Sequence, residues 1–115
     1  MPYIRISTTA DLTAEMEEIL LEEIAQILPI LPGKNRNNAM IHMEGGAFMA
    51  MGDPKDPCIF ADVRLCGASP ADAKESFAAA LTELLETKLG VPGDHIYLNY
   101  MEMDHWGMRG KIVYP

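Results

Sequence analysis

The second residue is Pro2, and removal of the initiator Met1 would leave a secondary amine at the head of the chain. An N-terminal α-amine ionises at about 7.7–8.0, and an apolar surround lowers that value, so such an amine is a neutral base at physiological pH without any histidine. Lys34 and Arg36 follow a Pro32-Gly33 stop. Either can hold a substrate carboxylate, and a cation close to Pro2 also favours the neutral amine. A base together with a carboxylate-binding cation suits proton abstraction from a substrate that carries a carboxylate. Taken singly, Pro2 is an ordinary chain start and Lys34-Asn35-Arg36-Asn37-Asn38 an ordinary polar loop.

Other chemistry-bearing groups have simpler explanations. Nine methionines include Met49-x-Met51 and Met101-x-Met103, at thioether-ligand spacing, but strand alternation and the use of Met to fill irregular cores account for them better. His42-x-Glu44 and Asp104-His105 lack the spacing of zinc motifs. Gly33-Lys34 lacks the glycine pattern of a phosphate loop, and Asn35 stands where a hydroxyl is needed. Neither a metal nor a cofactor is expected.

Composition narrows the partners. The chain has 115 residues, with 9 Lys+Arg against 17 Asp+Glu and a formal charge of −8. Such a surface repels phosphate backbones and anionic membranes, so no nucleic acid and no membrane partner is expected. Two cysteines, Cys58 and Cys66, are too few for a disulfide framework. With no apolar run long enough to span a membrane and no signal-peptide pattern, a cytoplasmic address is expected. The length predicts a single domain over 1–115.

The elements that must position these residues follow a repeated order. Ile4 and Ile6 alternate with Tyr3, Arg5 and Ser7 as a half-buried strand. From about Thr13, Met16, Ile19, Leu20, Ile24, Ile27 and Leu28 form a helical stripe, and Pro29 and Pro32-Gly33 end it. Ala39, Ile41 and Met43 alternate again. The order recurs after Pro57: a strand on Ile59, Ala61, Val63 and Leu65, a helix capped by Ser69 with Pro70 at its first position and closed by Gly90, and a strand on Ile96, Leu98 and Tyr100. Two βαβ repeats, about 2–45 and 58–102, predict an α+β (α/β) fold. It has a four-stranded sheet with both helices on one face. The other face would carry Tyr3, Arg5, His42, Glu44, Asp62, Arg64, Tyr97 and Asn99, covered either by partner subunits or by solvent.

Pro2-Tyr3-Ile4-Arg5-Ile6, Gly33-Lys34, Phe48-Met49-Ala50-Met51-Gly52, Asp56-Pro57-Cys58 and Ile96-Tyr97-Leu98-Asn99-Tyr100 together resemble the macrophage migration inhibitory factor family of the tautomerase superfamily. The resemblance spans nearly the whole chain. It implies a mixed sheet and a homotrimer whose sheets wrap into a barrel, with sites at subunit boundaries. It also implies keto–enol tautomerisation of phenylpyruvate- and dopachrome-type substrates. Pro2 is then the catalytic base once Met1 is removed, and Lys34 the contact for the substrate carboxylate. Tyr97 and Asn99 are contributed by a neighbouring subunit. Cys66 falls where the family has an isoleucine whose backbone N–H meets the substrate. Tyr3, beside the base, bears on which substrates fit. Trp106-Gly107 resembles the family's aromatic-Gly element, and Met108, Val113 and Tyr114 are candidate pocket walls.

The family's C-x-x-C pair is reduced to Cys58-Ile59-Phe60-Ala61, so thiol oxidoreductase activity is not expected. Two alternatives go with the resemblance. One is a cytokine-like, receptor-binding homologue with a vestigial pocket, released without a signal peptide. The other is a related hydratase or decarboxylase that uses Arg36 or Arg109.

Overall fold

The computed structural model describes residues 2–115. Strand β1 (Pro2–Thr8) is followed by helix α1 (Ala14–Ile27) and strand β2 (Met40–Glu44); strand β3 (Ile59–Cys66) is followed by helix α2 (Ala71–Leu89) and strand β4 (Ile96–Met103). The four strands form one sheet in the order β2-β1-β3-β4. Each βαβ unit is parallel, as a helical crossover requires, and the units join antiparallel through β1 and β3. The sheet is therefore mixed. Each parallel pairing joins residues 37 apart, Ile4 to Ile41 and Val63 to Tyr100, so the two units have the same spacing.

The expected alternation sorts the sheet into two faces. Pro2, Ile4, Ile6 and Thr8 are buried in β1, and Ile59, Ala61, Val63 and Leu65 in β3. Against them pack Leu20, Ile24 and Leu28 of the first helical segment and Phe77, Leu81 and Leu85 of α2, all fully buried. Thr13 caps α1 by accepting the Met16 N–H at 3.1 Å, and Glu15 and Glu17 complement the dipole in the first turn. Pro29 then forces a short 3-10 turn over Leu28–Ile30. Gly90 closes α2 at φ 68, in the left-handed region.

Two features differ from the sequence expectation. Ser69 does not cap α2. Pro70 itself occupies the N-cap, without a side-chain bond, and the Ser69 N–H is taken by Glu102 Oε2 of β4 at 2.6 Å. A carboxylate is the stronger acceptor and suits the positive end of the helix, so a distant strand supplies what the local hydroxyl was expected to give. The second difference is a C-terminal hairpin, β5 (Trp106–Met108) and β6 (Lys111–Val113). Its two-residue turn places Arg109 at φ 55 and Gly110 at φ 74, the turn type that matches strand twist. The tail beyond it returns to the end of β3. A Cβ on Gly67, which sits at φ 88, would meet Pro115 Cβ at 2.8 Å. Among the described residues, no helix is long and apolar enough to cross a membrane.

Candidate active site

The face of the sheet without helices is a lattice of polar rows set by strand register. Met40, Tyr3, Arg64 and Met101 lie side by side across the four strands, and His42, Arg5, Asp62 and Asn99 form the next row. Within these rows the Tyr3 hydroxyl and His42 Nδ1 are 3.0 Å apart. Arg64 bonds Asp62 Oδ2 at 3.1 Å and lies 5.8 Å from the Tyr3 ring centroid, a cation–π distance. Arg5 pairs with Glu44, and that contact holds the Glu44 carboxyl below the usual carboxylate range. Arg5 Nε, Asp62 Oδ1 and Asn99 Oδ1 are shielded yet have no hydrogen-bond partner among the described residues.

At the head of this lattice the chain start meets the C-terminal hairpin. A cleft of about 900 Å³ has Pro2, Tyr3, Met40 and Arg64 on the sheet side and Trp106, Met108, Arg109 and Ile112 on the hairpin side. Pro2 is itself buried, and its strand partner is Leu65. Lys34, placed by the Gly33 turn, donates from Nζ to the carbonyl of the next residue, Cys66, at 3.1 Å. The chain start, an ammonium group and the end of β3 are thus brought to one place, as parallel β1 and β2 require. The fate of Met1 lies outside the described residues.

The remaining candidates divide. Tyr3, Trp106 and Met108 line the cleft; Cys66 does not, but it follows Leu65, the strand partner of Pro2, and its carbonyl accepts Lys34. Arg36 is not available there: Glu22 of α1 holds its guanidinium through two bonds of 2.8 and 3.0 Å. That pairing raises the arginine and lowers the carboxyl from their ordinary ionisation values. Tyr97 and Asn99 are far from Pro2. Tyr97 pairs with Phe60 while Pro2 pairs with Leu65, a separation of five residues along β3, or roughly 17 Å. Tyr97 is 58% exposed and lines a separate hollow with Met49, Met51 and His95. Tyr114 is exposed and, like Val113, is not part of the cleft wall.

Sequence reasoning missed Asn38, Met40, Arg64, Met103, His105 and Ile112 as cleft residues. Arg64 was legible as the neighbour of Tyr3 once β1 and β3 are paired. The Ile112 wall follows from the Arg109-Gly110 turn. Among the described residues, no group of three or more His, Cys, Asp or Glu is arranged to hold a metal ion.

The family model for macrophage migration inhibitory factor matches residues 1–113. A macrophage migration inhibitory factor homolog of Brugia malayi is 25% identical over 104 residues, 90% of each chain. The crystal structure of a macrophage migration inhibitory factor-like protein from Entamoeba histolytica superposes with a TM-score of 0.85 at 25% identity, covering 97% of this chain and 98% of that one. Leishmania major MIF2 superposes at 0.89 with 17% identity, covering 98% and 97%.

Proposed function

The chain belongs to the macrophage migration inhibitory factor family, and on that premise we propose that it is an isomerase catalysing keto–enol tautomerisation of phenylpyruvate-type α-keto acids. Pro2 serves as base after removal of Met1. One observation carries this reading: Pro2 is buried at the rim of a cleft, with the Lys34 ammonium on the carbonyl next to its strand partner. Burial and a nearby cation both favour the neutral amine. The amine takes the enol hydroxyl proton as the C=O bond forms, and the resulting ammonium returns a proton to the neighbouring alkene carbon, C3 of the pyruvate, so one group acts as base and then as acid. Lys34 orients the substrate carboxylate and offsets negative charge on the enolate.

In this reading the protein is a homotrimer. Tyr97 and Asn99 of a neighbouring subunit and the Cys66 N–H are the hydrogen-bond donors around the substrate. The exposed Tyr97 supports it, because that side chain is left open to a neighbour. Free, buried Cys58 and Cys66 suit a reducing compartment such as the cytoplasm.

The test is an intact-mass measurement for loss of Met1, followed by ketonisation of enol phenylpyruvate by wild type and Pro2→Gly. Turnover in the wild type that falls at least a hundredfold in the variant supports the base assignment, at the scale expected for acid–base catalysis. Equal turnover overturns it. No Pro2-dependent turnover in either protein points instead to a receptor-binding homologue with a vestigial pocket.

A further inference from the structure

The cleft has a charge opposite to that of the chain. The protein carries a formal −8, yet the charged or titratable side chains lining the cleft, tyrosine aside, are Arg64, His105 and Arg109, with no aspartate or glutamate in the wall. Outside that lining, Asp62 pairs with Arg64 and Asp104 with His105, and the Lys34 ammonium rests on the Cys66 carbonyl. Recognition of one α-keto carboxylate beside Pro2 uses one cation, and in the proposed reading Lys34 is that cation. The two arginines are surplus to a monocarboxylate.

Their settings differ in an informative way. Arg64 is braced by Asp62 and Tyr3, so its position is fixed and its charge partly answered. Arg109 has no ion-pair partner among the described residues. It also occupies a left-handed position, φ 55, where hairpin turns favour asparagine, aspartate or glycine. A long cationic side chain at a left-handed turn position, lining the cleft and unpaired, is explained by a ligand. Arg64 stands beside Tyr3, one register position from the Pro2–Leu65 pair, and Met40, Trp106, Met108 and Ile112 give the cleft an apolar lining that fits a flat hydrocarbon body.

We propose that the substrate is a dianion, an arylpyruvate-like enol with a second carboxylate at its far end, and that Arg109 is the specificity-determining contact for that carboxylate. This rests on the tautomerase reading above and specifies its substrate class. Planar guanidinium groups suit a carboxylate through paired N–H donors, and in a partly apolar cleft such bonds are stronger than on open surface.

The experiment compares ketonisation of phenylpyruvate with that of 4-carboxyphenylpyruvate by wild type, Arg109→Met, Arg109→Lys and Arg64→Met. Wild type is expected to favour the dianion in kcat/KM by about tenfold, the scale of one charge-assisted hydrogen bond, with the preference shrinking as salt rises. Arg109→Met should lower the dianion-to-monoanion ratio by a similar factor, Arg109→Lys should restore part of it, and Arg64→Met should lower it less. Circular dichroism of each variant reports on folding. Pro2-dependent turnover of phenylpyruvate with no dianion preference, or a preference that Arg109→Met leaves intact, overturns the proposal while the tautomerase reading stands. Absence of Pro2-dependent turnover with both substrates overturns both.

Discussion

Glu102 ties the second βαβ unit to the end of β3, and its removal has a calculable cost. Oε2 accepts the Ser69 N–H at 2.6 Å and Oε1 accepts Lys74 Nζ at 2.7 Å. The loop it anchors directly follows Cys66, the residue whose carbonyl receives Lys34. Hydrogen bonds to a charged group contribute about 1.5–3 kcal/mol when shielded, and exposed ion pairs at most about 1 kcal/mol. The Glu102 and Lys74 side chains are 24% and 26% exposed, between these limits, so Glu102→Ala is expected to cost about 2 kcal/mol after screening. At a urea m-value of about 1.5–2 kcal/mol/M the midpoint falls by about 1 M.

The sign of the pH dependence is also determined. The Lys74 bond, and then the Ser69 N–H, hold the Glu102 carboxyl below the ordinary range. Its contribution is therefore complete above the ordinary carboxylate value, about 4.3, and is lost as pH falls from there through the lower folded value. Urea melts of wild type and Glu102→Ala at one protomer concentration should differ at pH 7 and converge towards pH 3. An unchanged midpoint at pH 7, or a gap undiminished at pH 3, would refute the bracing role.

Lys34→Met should lower kcat/KM for phenylpyruvate by about a hundredfold, the scale of losing one preorganised donor to developing negative charge; a loss under threefold removes Lys34 from the site. Phe77→Ala, at the fully buried centre of the α2 face, should cost about 3–5 kcal/mol in urea denaturation, and a cost below 1 kcal/mol would mean the helix is not packed as described. The Tyr100 hydroxyl donates to the Lys74 carbonyl at 2.6 Å, and burial first, with Glu102 second, pushes its ionisation up to about 12. A raised value means that stability is retained below the ordinary phenol value of about 10 and lost as pH rises towards 12. Absorbance titration at 295 nm should show one tyrosine ionising late in wild type and absent in Tyr100→Phe; a titration without a late component refutes the burial argument.

Periodicity made the fold legible because each strand buries one face against helices that show their own stripe. Ile4, Ile6, Val63 and Leu65 alternate for that reason, and Pro29 and Gly90 mark helix ends through backbone constraints that act locally. What sequence could not supply came from tertiary competition. Ser69 has the chemistry of a cap, but whether it caps depends on Glu102, thirty-three residues away. Arg36 looked like a carboxylate grip until α1 brought Glu22 to it. Met40 and Arg64 gain their place only through register with Tyr3. Pro2 and Lys34 could be paired from topology alone, because parallel strands start at the same end of a sheet.

Assembly explains why half of the proposed site lies at the wrong end of its own protomer. The sheet leaves two edges open, β2 and β4, and open edges invite pairing. Met40, 67% exposed, stands on the β2 edge beside the Pro2 cleft, whereas Tyr97 and the exposed Met101 stand on β4. Bringing Tyr97 of one copy to Pro2 of another therefore joins unlike edges. Such a heterologous contact leaves an unused edge on each copy and is satisfied only when a ring closes. In the proposed homotrimer that ring has three copies, and closing it also covers the bare face with its rows Met40-Tyr3-Arg64-Met101 and His42-Arg5-Asp62-Asn99. In the proposed reading the same step that completes the base's pocket thus covers the bare sheet face, and catalysis and assembly depend on one contact.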